Sequence, residues 1–482
     1  MSRSIIHDKL TGFLYALALI LFIYPRIILT NSFEQSLLKA QSLLTQKKLD
    51  LALVELQGAL KIKPNTAETD LILGNKLLEL GNEYFAQLNV IKSIEAFKTI
   101  LAISDSYSAV YHNIAFTLAE RLGNYQESLP YFKRALELNP DNAETHFCAA
   151  LSYLATGDLV TGFEHYLWRW KRNGHEPRTF SSPITQSWQG ENLRNKTILI
   201  RAEQGLGDTV QFIRYGKLLQ NLGATVIAEV QKPLVSLLSY CSSINHVIAI
   251  GDILPTFDYQ VNFLDLPALF KTTLETIPND NPYLVADPAL IAYWRVKLSS
   301  DKKFKIGICW YGDITHGNRK FMPLELFAQL ATLDNISLYS LQRVTGLDQL
   351  ETLTHLYSKQ NIHCPVKTLD TLCNDNFDKS HGRFMDTAAV ICNLDLVISV
   401  DTCTAHVAAG LGAPTWIILP FPAEWRWLTP ETNPCVTRSS SGEIISEGNP
   451  WYPQVEIFRQ QEVNNWKPVI NALLTRVQQL NT

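Results

Sequence analysis

The sequence predicts an α-helical repeat array followed by two α/β halves, each built on a parallel sheet. Three observations carry this expectation. Two segments, ALKIKP ending at Pro64 and ALELNP ending at Pro140, align in a unit of about 34 residues. From residue 191 onward, short β-branched runs alternate with helical patterns, as strand–helix–strand units do. The stretch LDLVISVDTCTAHVAAGLGAPTWIILP, Leu394 to Pro420, reads as strand, sharp turn, short helix and strand. Leu396 to Val400 suits a strand buried on both faces. Small residues (Thr404, Ala405, Ala408, Ala409, Gly410) let another group come close to the helix, and Gly412 ends it. A helix N-terminus at the carboxyl end of a parallel strand attracts an anion, usually a phosphate. An ordinary crossover with Asp401 as helix cap fits the same pattern.

Bulk properties narrow the function. At 482 residues the chain exceeds a single core. A net charge of −4 and the lack of Lys/Arg-rich blocks argue against nucleic acid as a partner. Eight cysteines without a C-x-x-C pair read as buried thiols in a reducing, cytoplasmic setting, Cys309 and Cys392 among them. The eleven histidines lack metal-ligand spacing, so no bound metal is expected.

Residues 1–30 form an apolar N-terminal segment. Gly12 to Tyr24 is uninterrupted, and Pro25 and Arg26 break it before Ile27 to Leu29. A membrane span needs about 20 apolar residues, so residues 12–29 are short for one. A membrane anchor and a helix capping the next domain are both open. Basic residues on either side set no orientation.

Residues 31–172 hold the repeats. The clearest unit is Ala109 to Pro140, with small Ala115, Ser128 and Ala135 where two helices cross and large Tyr125, Phe132 and Leu136 between them. A first unit around Ala40, Ala52, Leu56 and Ala59 has the same layout. A middle unit from Ala67 carries an insertion near Asn82 to Asn89, and a last one runs from Ala143 to Trp170. The pattern resembles the tetratricopeptide repeat, whose concave surface often holds peptides or protein loops. Support and dimerisation of the following domain is an equal alternative.

Residues 173–190 are a polar linker. The first α/β half, 191–300, opens with the strand pattern TILIR and the turn AEQGLGD, with Asp208 expected at a helix N-cap. A dinucleotide fingerprint would need a third glycine where Val210 stands, although Glu229 lies near the place of a ribose-binding acid. The second half, 301–482, opens with FKIGICW, continues through a loop carrying Arg319 and Lys320, and has a strand ending at Gln342. A C-terminal helix, Val463 to Leu480, is expected to pack back on the first half. Two such sheets in series face a cleft at the carboxyl ends of their strands.

GLGDTVQF, GICWYGD, NRKFMPLELFAQL, SLQ, FMDTAAVICNLDLVISVDTCTAHVAAGLGAP, EWRWL and NPWYPQVEIFRQ occur in this order. Together they resemble the heptosyltransferase-like glycosyltransferases of family 9, in the form that carries N-terminal tetratricopeptide repeats. The resemblance implies a two-lobed GT-B fold of two Rossmann-like sheets. It also implies a nucleotide-sugar donor as co-substrate, inversion at the anomeric carbon, and no cofactor or required metal. Asp208 matches the general base. Asp401, Thr402, Cys403, Thr404 and Ala405 fall in the segment that holds the donor diphosphate. His406 matches the histidine that orients this loop or approaches the phosphate. Lys320, with Arg319 beside it, matches the cation that neutralises the leaving diphosphate, and Gln342 lies near the nucleoside. Cys403 stands where the heptosyltransferases commonly have glycine, and Pro420-Phe421-Pro422 replaces a Gly-Pro-Thr turn. Trp425, Arg426 and Trp427 have no counterpart in the heptosyltransferases themselves, and stacking on a ligand and packing at the lobe joint both fit them. The implied function is sugar transfer to a glycan or protein acceptor recruited by the repeats. A protein O-linked N-acetylglucosamine transferase and a non-catalytic repeat scaffold are the alternatives.

Overall fold

The computed structural model describes residues 32–174, 186–312 and 320–480. The apolar stretch 12–29, most of the linker and Arg319 lie outside the described residues. Among the described residues no helix is long and apolar enough to cross a membrane.

The chain divides into two compact units, Met1–Thr117 and Leu118–Thr482, so the division falls inside the repeat array. In the first unit the helices Ser32–Thr45, Leu49–Ile62, Ala67–Ala86 and Val90–Leu101 pack in sequence. Ala40, Ala52 and Ala59 are fully buried where helices approach closely. The insertion in the middle unit lengthens its first helix to 20 residues. Thr66 starts that helix by accepting from the Thr69 N–H.

The second unit begins with the later repeat helices, Tyr125–Leu138, Ala143–Ala155 and Leu159–Tyr166. These share one apolar core with the α/β part: Leu154, Phe163 and Tyr166 pack with Phe212 and Trp425. Their caps follow the sequence, with Asn142 accepting from Thr145 and Asp158 from Thr161.

The first sheet contains β1 (Gln186–Ser187), β2 (Thr197–Arg201), β3 (Thr225–Val230), β4 (His246–Ala249) and β5 (Tyr259–Asn262). Its order is β1-β5-β2-β3-β4 and every pairing is parallel. β1 lies in the stretch expected as linker and pairs with β5 through Gln186 and Ser187. Glu229 is buried in a cross-strand ion pair with Arg201, 2.8 Å away, which occupies the side chain considered for a ribose.

The second sheet contains β6 (Phe304–Cys309), β7 (Ile336–Ser340), β8 (Val366–Lys367), β9 (Leu396–Val400) and β10 (Thr415–Leu419). A short antiparallel hairpin of β11 (Val436–Arg438) and β12 (Ile444–Glu447) precedes its last strand, β13 (Val455–Arg459). The order is β13-β10-β9-β6-β7-β8, again all parallel. Both faces are covered, as a parallel sheet requires. Leu396, Ile398 and Val400 face one core and Val397 the other; Trp416 and Ile418 face the first, Ile417 and Leu419 the second. The C-terminal helix, Lys467–Leu480, does not pack on the first half as expected. Val469, Ile470, Leu473 and Val477 bury against the second sheet, because its outer face would otherwise leave Trp416 and Ile418 uncovered.

Strand order reverses in the first sheet between β2 and β5 and in the second between β6 and β9. Such reversals open crevices beyond the strand ends. The GLGD turn follows β2, and Asp401 follows β9.

Gly307 sits at the centre of β6. A Cβ there would lie 2.5 Å from Leu394 Cδ1 and 2.7 Å from Leu341 Cδ1. Gly307→Ala is therefore expected to destabilise the second unit by about 1–3 kcal/mol through overpacking. Thermal melting checks this, and an unchanged midpoint would contradict it.

Candidate active site

The site is built where one helix from each sheet meets the other. Asp401 follows β9, and Thr402 rather than Asp401 caps the following helix, Cys403–Gly410, by accepting from the Ala405 N–H. Asp401 is thus free for an ion pair. Lys320 Nζ lies 2.6 Å from its Oδ2, and His406 Nε2 approaches its Oδ1 at 3.7 Å. Burial alone would push the Asp401 carboxyl up. The Lys320 ammonium and His406 outweigh it and hold the carboxyl well below the usual carboxylate range. His406 Nδ1 and the Tyr452 hydroxyl are 2.8 Å apart, and the Trp427 ring stacks on the imidazole. The first turn of the Cys403–Gly410 helix has N–H groups that no helical carbonyl takes.

The opposing helix, Leu206–Phe212, starts one turn earlier than expected. Gly205 is its N-cap and Asp208 its third residue. Asp208 Oδ2 accepts from the Gly205 N–H at 2.8 Å, reaching back over the first turn. The two helices touch closely: a Cβ on Gly207 would lie 2.9 Å from His406 Cδ2 and 3.8 Å from Cys403 Cα. Only glycine lets the GLGD turn sit this near the other lobe.

Arg426 closes the contact. Its guanidinium pairs with Asp208 of the first lobe and with Glu424 of its own segment, and its Nε donates to Gln211 Oε1 at 2.9 Å. Burial raises the proton affinity of Glu424, and the charges of Arg426 and Lys320 offset only part of that rise. Trp425 and Trp427 are 4 % and 1 % exposed, so the aromatic cluster is packing at the lobe joint. Arg214 adds a second tie, donating to Trp451 O at 2.6 Å and to Pro278 O at 3.2 Å. The GLGD turn is also held from behind. Arg169, in the last repeat segment, forks onto Glu203 at 2.9 and 2.7 Å and also pairs with Asp265.

The structure brings together Asp208, Lys320, Asp401, Thr402, Cys403, Thr404, Ala405 and His406. Arg319 lies outside the described residues. Gln342 is adjacent but fully committed. Its Oε1 accepts from the Trp310 and Tyr311 N–H groups at 3.1 and 3.0 Å, and its Nε2 donates to Tyr311 O and Thr345 O. It clamps the loop after β6 and has no group left over. Beyond β7 and β8, an open cavity of about 210 Å³ is lined by Ser340, Arg343, Leu347, Leu350, Leu369 and Asp370. Cys309 is buried as expected, but Cys392 is exposed because it follows the last turn of the helix Met385–Ile391. Among the described residues no group of three or more His, Cys, Asp or Glu side chains is placed to hold a metal.

Sequence reasoning missed Glu424, Tyr452 and Arg169 as parts of this assembly, and it offered the lobe joint for Arg426 without its charge pairing. An arginine flanked by two tryptophans was the one available signal for Arg426.

Comparison returns proteins of both kinds that the motifs resemble. The tetratricopeptide repeat family model matches residues 117–142. The chain carries tetratricopeptide repeats. Protein FlbA of Caulobacter vibrioides is 23 % identical over 448 residues, covering 88 % of this chain and 69 % of FlbA. A family 9 glycosyl transferase of Veillonella parvula is similar in structure at 12 % identity and a TM-score of 0.39, over 57 % of this chain and 88 % of that one. The ADP-heptose LPS heptosyltransferase II of E. coli is similar at 14 % identity and a TM-score of 0.39, over 58 % and 99 % of the two chains. An O-GlcNAc transferase of Thermobaculum terrenum covers 82 % of this chain at 14 % identity and a TM-score of 0.26.

Removing Lys320 leaves Asp401 buried without its cation. Lys320→Met is expected to lose about 1–3 kcal/mol at pH 7, less than a fully buried pair because Lys320 is partly exposed. A depressed carboxyl contributes stability above its unfolded range and loses it as pH falls. The gap in melting temperature between wild type and variant should therefore hold from pH 7 down to about pH 4 and narrow below it. A gap independent of pH would contradict the pairing.

Proposed function

We propose that the chain is a glycosyltransferase that moves a sugar from a nucleotide-sugar donor to a glycan or protein acceptor. The observation that carries this reading is the facing of Asp208, on one lobe, and the Lys320–Asp401 pair at a helix N-terminus, on the other. A carboxylate can take the proton of an attacking hydroxyl. A lysine beside free N–H groups suits the diphosphate that leaves.

In this reading the backbone from Thr402 to Ala405 and Lys320, joined by Arg319, hold the donor diphosphate. The acceptor oxygen attacks the anomeric carbon from the opposite face and the bond from that carbon to the diphosphate oxygen breaks. Asp208 accepts the hydroxyl proton, and the product carries the inverted configuration. The fixed cations and N–H dipoles meet the leaving charge, so the reaction is proposed to proceed without a metal or other cofactor. Asp401 orients Lys320 and keeps His406 in place. The cavity beyond β7 and β8, with leucine walls and a polar rim, suits the nucleoside. Gln342 shapes the loop at its edge. The repeats recruit the acceptor or an assembly partner.

A second reading, a scaffold that binds without turnover, is favoured by one observation: both carboxylate oxygens of Asp208 are engaged, one by Gly205 and the other by Arg426.

The test is thermal melting of the full chain with UDP, GDP, ADP and CMP in turn. A ligand at about 100 times its dissociation constant stabilises the folded state by about 2.7 kcal/mol. One nucleotide is expected to raise the midpoint, and its sugar conjugates then serve as donors. Asp208→Ala is expected to abolish transfer while keeping the nucleotide shift. Full transfer by that variant would remove Asp208 as the base, and a nucleotide shift without transfer from any of its sugar conjugates, or no shift at all, would favour the scaffold.

A further inference from the structure

Two of the cations at the candidate diphosphate site, Lys320 and Arg426, are already paired with carboxylates. Lys320 faces Asp401, and Arg426 is shared between Asp208 and Glu424. Lys320, Glu424 and Arg426 are close enough to feel one another's charge, and Asp401 acts on Arg426 as well. The pairs are packed: Asp401 and Arg426 side chains are 4 % and 8 % exposed. A dianion entering here meets, among these paired groups, two cations against three carboxylates, and an Asp208 oxygen held by a guanidinium is not open to an acceptor hydroxyl. Both difficulties have one solution, which is an exchange of partners.

We propose that Arg426 is a positioning residue that exchanges partners during the cycle. In the empty site it holds Asp208, and when a diphosphate arrives it turns to the phosphate oxygens and releases Asp208 as a free carboxylate. The inference rests on the transferase reading. A guanidinium suits the exchange because its fork matches carboxylate and phosphate equally. Gln211 holds only its Nε, which leaves the terminal nitrogens to change partner. Glu424 stays beside Arg426 in both states and limits how far it travels. The exchange makes base activation depend on the donor, so an acceptor hydroxyl is deprotonated only when a sugar is in place. Because Arg426 and Asp208 stand on different lobes, the same step loosens one tie between them.

The experiment measures binding of inorganic pyrophosphate to the full chain by calorimetry, without divalent ions. The proteins compared are wild type, Asp208→Asn, and the double variant Asp208→Asn/Arg426→Gln. Asp208→Asn frees Arg426 and should tighten binding about tenfold, the order expected when one charge beside an anion is removed. Loss of the negative charge alone would do the same, and the double variant separates the two causes. It lacks the same charge and also lacks the guanidinium, so binding should fall below wild type. It also removes the buried pair together, which avoids a stranded charge. If Asp208→Asn does not fold, Asp208→Ala takes its place, alone and with Arg426→Gln, with the same expected tightening and loss. Unchanged or weaker binding by the single variant overturns the exchange. So does a double variant that binds as well as wild type or better. In both cases the diphosphate reading survives. If neither wild type nor the single variant binds pyrophosphate, the diphosphate reading falls and the exchange falls with it.

Discussion

The ion pair between Arg426 and Asp208 is the constraint on which the second unit depends. It joins a loop after β10 to the helix after β2, across the joint between two sheets. Charges this well buried destabilise unless each is paired. The surrounding residues complete that pairing: Gln211 and Glu424 on Arg426, the Gly205 N–H on Asp208, Lys320 and His406 on Asp401. Trp425, Trp427 and Tyr452 exclude water around them. The result is a polar seam inside an apolar joint, with paired groups on both lobes. Such a seam sets the register of one lobe on the other more sharply than apolar packing alone can.

The repeats take part in the same assembly through their last segment. Arg169 reaches Glu203 and Asp265 and so fixes the loop that leads into the GLGD turn. Phe163 and Tyr166 pack on Trp425 beside Arg426. The final repeat helices are therefore part of the wall behind the site. This explains why the compact division of the chain falls at Thr117 and not at the polar linker.

Much of this was legible in the sequence, for local reasons. The β9 turn and helix announced themselves by an apolar run followed by small residues, and the repeats by their prolines and alanines. What was not legible depends on contacts far along the chain. Asp401 looked like a cap because its partner, Lys320, lies on another loop. The first-lobe helix begins a turn early because Asp208 reaches back to the Gly205 N–H and Gly207 fits against the opposing helix. The C-terminal helix covers the second sheet because the outer face of β10 needs a cover, a need that no local period expresses. Arg426 was visible only as one letter of a motif, since charge pairing across a domain joint leaves no spacing to read. Cys392 misled because an apolar run that ends a helix can still expose its last side chain.

The central claim is that a diphosphate belongs at the first turn of the Cys403–Gly410 helix. A crystal structure of the chain grown with ADP or UDP tests this most directly. The account predicts phosphate density against the backbone from Thr402 to Ala405, with Lys320 Nζ on an oxygen and Asp208 facing it across the joint. A nucleotide bound elsewhere, or one whose phosphates point away from that turn, would contradict it.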